Sequence, residues 1–227
     1  MDSEKTTTSA AAERGAAYYD TWKLHTYDLW VLGFINRFGW RCPTKKHLLP
    51  LFRSCVRSKH MDIGVGTGYY LKHTRFPGSL TLCDLSQSSL RTAQSRCGCN
   101  DVQIIRCDIT VELPTAEKFE SISMFYLLHC LSGPISNKTT VIERILPNLT
   151  VDGVVAGATI LGKGVKDGPV GKVWRRYVNQ RGYLDNEDDD AETFIRTLQD
   201  NFQSVETEIV GAVLLFKAER PKVIRQH

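Results

Sequence analysis

Three acidic residues, each closing a short apolar run, carry the most chemical information in this sequence. The first stands in Asp62-Ile63-Gly64-Val65-Gly66-Thr67-Gly68. Glycines at this spacing let the chain turn tightly and let its backbone approach a ligand with no Cβ in the way. Dinucleotide sites also use glycine-rich turns, with Gly-x-Gly-x-x-Gly spacing. Here the spacing is Gly-x-Gly-x-Gly, with an acid two residues ahead of the first glycine. That carboxylate suits a cationic amine and would repel a pyrophosphate. Asp84 follows 22 residues later, at the end of LTLCDL, where an acid can accept both hydroxyls of a ribose. Asp108 closes the third run, IIRCDI, and is placed to receive an adenine amino group. Charge-assisted hydrogen bonds of this kind contribute roughly 1.5–3 kcal/mol each. One such acid alone is more often a helix cap or a solvated group. Three in series, the first with its glycines, form a nucleoside-binding pattern.

The periodicity of the chain supplies the elements that would hold these acids in line. HMDIGV, LTLCDL, VQIIRCDI, SISMFYLL and VDGVVAGATIL read as strands, being short and apolar with turn signals at their ends. Between them lie the helical stretches GYYLKHTRF, SQSSLRTAQSRC, with Ser86 as its N-cap, and VIERILPNL. Strands alternating with helices of this length predict a parallel sheet with both faces covered, which binds ligands at the carboxyl ends of its strands. SVETEIV and AVLLFKAE are nearly contiguous and predict an antiparallel hairpin at the sheet edge. Upstream, residues 11–38 place apolar or aromatic side chains every three or four positions, predicting one or two amphipathic helices. Pro43 is expected to open the next helix, KKHLLPLFRSCV. The fold class is therefore α/β, in a single domain over 1–227. It comprises a mobile tail over 1–10, a helical cap over 11–44 and a core over 45–219, with a substrate-wall insert at about 163–190.

Composition narrows the partners. The 29 basic residues face 25 acidic ones for a net charge of +4, and no basic run exceeds a pair, so no nucleic-acid partner is expected. No apolar run approaches the ~20 residues of a membrane helix, so no membrane partner is expected. The first residues include an early acid and lack an apolar segment, unlike a secretory signal. Seven irregularly spaced cysteines fit a reducing, cytoplasmic location. The oligomeric state stays open.

On HMDIGVGTGYYL, LTLCDLSQSSLRTA, IIRCDIT, FESISMFYLLHCL and PNLTVDGVVAGATIL, the chain resembles the class I S-adenosylmethionine-dependent methyltransferases over roughly residues 45–219. Its overall look is similar to the small natural-product, polyketide-type enzymes of bacteria and fungi. His60 departs from the pattern by standing where such proteins usually carry an apolar residue, and Val65 replaces a frequent Cys or Pro. The resemblance implies a Rossmann-like, seven-stranded sheet of order 3-2-1-4-5-7-6 with strand 7 antiparallel and helices on both faces. It implies S-adenosyl-L-methionine as cofactor and S-adenosyl-L-homocysteine as product. Asp62, Gly64, Gly66, Thr67 and Gly68 would meet the methionine part, Asp84 with Leu85 the ribose, and Asp108 with Ile109 the adenine. Phe125 would offer its backbone near the cofactor.

Methyl transfer is an in-line displacement in which alignment supplies several kcal/mol, and a hydroxyl acceptor gains from a general base. His129, just past the fourth strand, is the candidate base or substrate contact, with Tyr126 a second lining residue. Aromatic N-terminal helices often lid the site in such proteins. Tyr19 and His25 could then face the cofactor or acceptor, and Arg41 could pair with the methionine carboxylate. The inserted VWRRYVNQRGYLDNEDDDAETF is expected to form part of a specificity wall. No metal site is assigned: acids ahead of a helix serve its N-terminus, and Cys97-Gly98-Cys99 with Cys107 lacks a fourth spaced ligand. The expected activity is methylation of a small molecule, at an enolic or phenolic hydroxyl of a secondary metabolite. The alternatives are an RNA or protein methyltransferase, or an S-adenosylmethionine-binding protein that catalyses a non-methylating reaction.

Overall fold

The apolar runs become seven strands: β1 (Lys59–Ile63), β2 (Ser79–Asp84), β3 (Val102–Arg106), β4 (Phe119–Phe125), β5 (Leu149–Ile160), β6 (Phe202–Val210) and β7 (Val213–Pro221). In the computed structural model, which describes residues 28–222, they form one sheet of order β3-β2-β1-β4-β5-β7-β6. β3, β2, β1, β4 and β5 run parallel to one another, and β7 is antiparallel to both β5 and β6. This is the expected order, strand direction and fold class.

The central strands are nearly continuous in apolar residues because both faces are covered. On one face lie a π-helical segment (Asp28–Gly39), α1 (Leu48–Cys55), the short α2 (Tyr69–Lys72) and α3 (Gln87–Arg96). Phe52 of α1 is fully buried there, stacked on Tyr70 at 5.3 Å and edge-on to Phe125 at 5.4 Å. Burying one such ring contributes about 1.5–3 kcal/mol. The opposite face is covered by α4 (Ile135–Arg144) and α6 (Ala191–Asn201), whose Val141, Ile142, Phe194 and Leu198 meet Met61, Ile122, Val155 and Leu214 of the sheet.

Inside β1, His60 and Asp62 are buried among these apolar neighbours and satisfied by β4. His60 Nδ1 lies 2.7 Å from Ser121 Oγ and its Nε2 lies 3.0 Å from Ser123 Oγ, while Ser123 Oγ donates to Asp62 Oδ1 at 2.5 Å. A histidine where an apolar residue was to be expected is thus matched by two serines on the adjacent strand.

Several element bounds differ from the periodicity reading. β1 stops at Ile63 because Gly64 takes φ +74°, and β4 stops at Phe125 because Tyr126 takes φ +62° and turns the chain out of the sheet. Pro43 does not open α1. Its carbonyl accepts from the N–H of both Lys46 and His47, making a turn first, and the helix begins at Leu48. Pro50 falls in the first turn of α1, where its missing N–H is not needed. α4 begins at Ile135, six residues earlier than VIERILPNL suggests. The insert contains a three-turn helix, α5 (Pro169–Gln180), opened by Pro169. Of the proposed cap helices, the part before Asp28 lies outside the described residues.

The hairpin between β6 and β7 has a two-residue tip with Gly211 at φ +61°, as such tight connections require. A Cβ on Gly211 would lie 2.1 Å from the carbonyl oxygen of Trp40, and that carbonyl accepts from Ala212 N–H at 2.9 Å. The sheet edge is thereby tied to the residue that follows the π-helical segment.

Candidate active site

A cavity of about 670 Å³ opens at the carboxyl ends of β1 to β5, where an open α/β sheet binds its ligands. One end is formed by Gly64 and Gly66, by Asp84, Leu85 and Ser86, and by Asp108, Ile109 and Thr110. The other is formed by Trp40, Tyr126, His129, Ile160, Trp174 and Val178, with Tyr183 and Leu184.

At the first end, Gly64 is turned so that a Cβ would strike Leu127 Cδ1 at 2.9 Å, and at Gly66 (φ +51°) nothing lies within 4 Å of a Cβ. The backbone there leaves open space beside the acids. Asp84 Oδ1 accepts from Ser86 N–H at 2.8 Å and its Oδ2 from Gly66 N–H at 3.4 Å. Burial pushes its carboxyl up to about 6, although these amides pull the other way. Asp108 Oδ1 is held by Thr110 through its N–H (2.9 Å) and hydroxyl (2.6 Å), while no described residue bonds the other oxygen. Arg144 of α4 donates to the Ile109 carbonyl at 2.6 Å. Arg96 of α3 donates to the Thr67 carbonyl at 2.6 Å, holding the glycine loop from behind.

At the second end, His129 is buried in a 3₁₀ turn (Leu128–Cys130), edge-on to the Tyr126 ring at 5.3 Å. Its Nδ1 accepts the backbone N–H of Ile160 at 3.1 Å. The neutral ring therefore carries its proton on Nε2, and no described residue bonds that nitrogen. Burial, with the positive charges of Lys138 and Arg175 nearby, pulls its pKa down to about 3, so the imidazole is neutral at physiological pH.

α5 closes this end. Trp174 and Val178, four residues apart, share the inward face of the helix. Arg175 pairs with Asp167 through two bonds of 2.6 and 2.8 Å and lies over the Trp40 ring at 5.1 Å. The loop after α5 is anchored by a buried ion pair: Lys138 Nζ donates to both Asp189 oxygens, at 2.7 and 2.8 Å, and to the Asp185 carbonyl. Both side chains are almost fully buried. Asp185 N–H in turn donates to the His129 carbonyl at 3.0 Å.

Three other acids of this segment, Asp185, Asp188 and Asp190, have their own protein partners. Asp185 Oδ2 accepts from Gly133 N–H, Asp188 pairs with Lys163, and Asp190 caps α6 by accepting from Thr193 N–H. Cys97 and Cys99 donate to backbone carbonyls, whereas Cys107 faces Cys83 across 2.9 Å. Among the described residues no group of three or more His, Cys, Asp or Glu could hold a metal.

Of the residues singled out from sequence, Gly64, Gly66, Asp84, Leu85, Asp108, Ile109, Tyr126 and His129 line the cavity together. Asp62, Thr67, Gly68 and Phe125 lie behind it, and the Phe125 ring packs into the core. Arg41 does not line it. The residue is exposed in a left-handed turn (φ 59°), and its neighbour Trp40 points inward instead. Tyr19 and His25 lie outside the described residues. Asn137, Thr140 and Arg144 were missed, although their spacing of three and four puts them on one face of α4. That signal was hidden because the helix was read as starting at Val141.

The methyltransferase-domain family profile matches residues 61–155. The chain is 50% identical over 215 residues to the physcion biosynthesis cluster O-methyltransferase of Aspergillus chevalieri, covering 93% of this chain and 97% of that protein. It is 43% identical to the N-methyltransferase vrtF of Penicillium aethiopicum, covering 98% of this chain and 93% of that protein. Its fold matches that of the N-methyltransferase NodS from Bradyrhizobium japonicum WM9, solved with S-adenosyl-L-homocysteine. The TM-score is 0.62 at 19% identity, with 93% of this chain and 97% of that one covered.

Proposed function

This chain belongs to the methyltransferase-domain family and is an S-adenosylmethionine-dependent methyltransferase of small molecules; from that premise we propose that it methylates an enolic or phenolic hydroxyl of a secondary metabolite. The observation that carries this reading is the single cavity that joins the acids of β2 and β3 to a wall built from His129, Tyr126 and the tryptophans.

The first end of the cavity fits the cofactor. Asp84, braced by two amide N–H groups, would accept the ribose hydroxyls. Asp108, with one oxygen not bonded by any described residue, would accept from the adenine amino group beside Ile109. The glycine backbone would border the methionine part, with Asp62 contributing charge from behind. When bound, S-adenosylmethionine supplies an electrophilic sulfonium methyl group.

His129 was expected as a general base or substrate contact. Its Nδ1 is occupied and its ring stays neutral, which supports the contact and a different chemical role. Nε2–H would donate to the acceptor oxygen and hold the charge that the oxygen carries once it has lost its proton. An oxygen can accept such a bond on one lone pair and react through another. An amine has one lone pair, and a donor aimed at it would compete with transfer. This favours oxygen over nitrogen, although one relative is named an N-methyltransferase. The aromatic and aliphatic wall would fit the planar body of the acceptor.

The test is to incubate purified protein and S-adenosylmethionine with matched phenols, enols and amines, and to read S-adenosylhomocysteine and the methylated product by mass spectrometry. O-methyl products are expected, and exclusive N-methyl products would overturn the oxygen assignment. His129→Ala is expected to lower kcat/KM for the acceptor by roughly 10- to 100-fold, the worth of one hydrogen bond to a charged oxygen, while sparing cofactor affinity. Equal loss of both would overturn its role at the acceptor.

A further inference from the structure

We propose that Cys83 and Cys107 form an oxidisable thiol pair in the cofactor end of the cavity, and that closing them to a disulfide competes with cofactor binding. Each precedes one of the two acids, Asp84 and Asp108, that face this space. The two strand ends are already joined by Cys107 N–H donating to the Asp84 carbonyl at 3.2 Å. The sulfurs lie 2.9 Å apart and both residues line the cavity. A disulfide bond is about 2.0 Å long, so closure asks the sulfurs to approach by roughly 0.9 Å more. Cys97 and Cys99 point instead at the carbonyls of Gln94, Gly78 and Asp101.

The two thiols have unequal roles. Cys83 is fully buried, and its contact with the Cys107 sulfur raises its own pKa and lowers that of Cys107. Cys107, half-buried on the cavity side, is the nucleophile. Its thiolate attacks one sulfur of a low-molecular-weight disulfide and expels the first small thiolate. Cys83 then loses its proton and attacks the Cys107 sulfur, expelling the second. The protein loses two electrons and two protons, and the small disulfide is reduced to two thiols. The new bond fixes β2 to β3 beneath the two acids, while bound cofactor covers the sulfurs and keeps the oxidant out.

The proposal rests on the cofactor site described above, and the experiment separates the two. The full-length reduced protein is treated with oxidised glutathione and digested without reductant, and its S-adenosylhomocysteine affinity is measured by calorimetry before and after. The expected result is a Cys83–Cys107 linked peptide, slower to form when S-adenosylhomocysteine is present, with affinity weakened about tenfold or more and restored by dithiothreitol. In Cys107→Ser the ratio of oxidised to reduced affinity returns to one. A linked peptide with unchanged affinity overturns the proposal, as does glutathione attached elsewhere with no Cys83–Cys107 link. If the reduced protein fails to bind S-adenosylhomocysteine, it is the cofactor reading that falls. Peptide mapping of the unmutated protein keeps the test decisive should Cys107→Ser fold poorly.

Discussion

Asp62 shows how a residue proposed to serve the cofactor can work against the stability of the empty protein. Burial, opposed by the Ser123 hydroxyl and aided by the charge of Asp84, raises its carboxyl from the ordinary 3.8 to about 7. An acid whose folded pKa lies above its unfolded one makes the native state bind more protons, so stability falls as pH rises from about 4 to 7. Above that window the full cost of a buried charge is present, and below it the cost vanishes. Asp62→Asn keeps an oxygen for Ser123 and removes the charge. We expect it to stabilise the cofactor-free protein at pH 8, by on the order of a few kcal/mol at most, seen as a higher thermal midpoint, and to change nothing at pH 3.5, as thermal melts across pH would show. A gain of the same size at both pH values would mean that charge is not the cause. The acids were legible in sequence because their position at the carboxyl ends of strands is itself the signal. The tautomer of His129 was not, because it is set by the N–H of Ile160, 31 residues away at the end of β5.

At the scale of elements, the proposed acceptor end depends on how α5 and the loop that follows it are held. Lys138 and Asp189 join α4 to that loop inside the protein, and the same loop bonds the His129 carbonyl. Removing one partner of a buried pair leaves an uncompensated charge and costs about 3–5 kcal/mol. Lys138→Met should therefore lower the thermal midpoint by roughly 6–20 °C for a chain of this size, as differential scanning calorimetry would record. It should also raise KM for the acceptor more than for S-adenosylmethionine, and adding Asp189→Leu should recover part of the midpoint. An unchanged midpoint would mean that the ion pair does not anchor the loop. The strands and the hairpin were readable from their apolar period. This strap was not, since an acidic run ahead of a helix looks like capping, and only Asp190 performs that task. A lysine on a short amphipathic helix gives no sign in sequence that it will be buried.

Across the whole molecule, the proposed cofactor end draws on β1, β2 and β3 and is braced from both covering layers by Arg96 and Arg144, so a ligand there should stabilise the entire sheet. At 100 times its Kd, S-adenosylhomocysteine should add about 2.7 kcal/mol, a rise of roughly 5–11 °C in thermal midpoint. The shift should vanish in Asp84→Ala. A normal shift in that variant would place the nucleoside elsewhere. The sheet order is a property of the whole chain that sequence conveyed only through resemblance, because local periodicity says what is a strand and not which strand lies beside it.

The hairpin tip at Gly211 touches the Trp40 carbonyl, and Trp40 carries Arg175 of α5 on its ring. With the insert as the proposed substrate wall, substrate choice would consequently not be a portable property of the insert. A graft of residues 163–190 from a relative would arrive facing a tryptophan whose position is dictated by the far edge of the sheet. The exchangeable unit is a triad of segments distant in sequence, and natural or laboratory variation in acceptor preference should arise as correlated change among them.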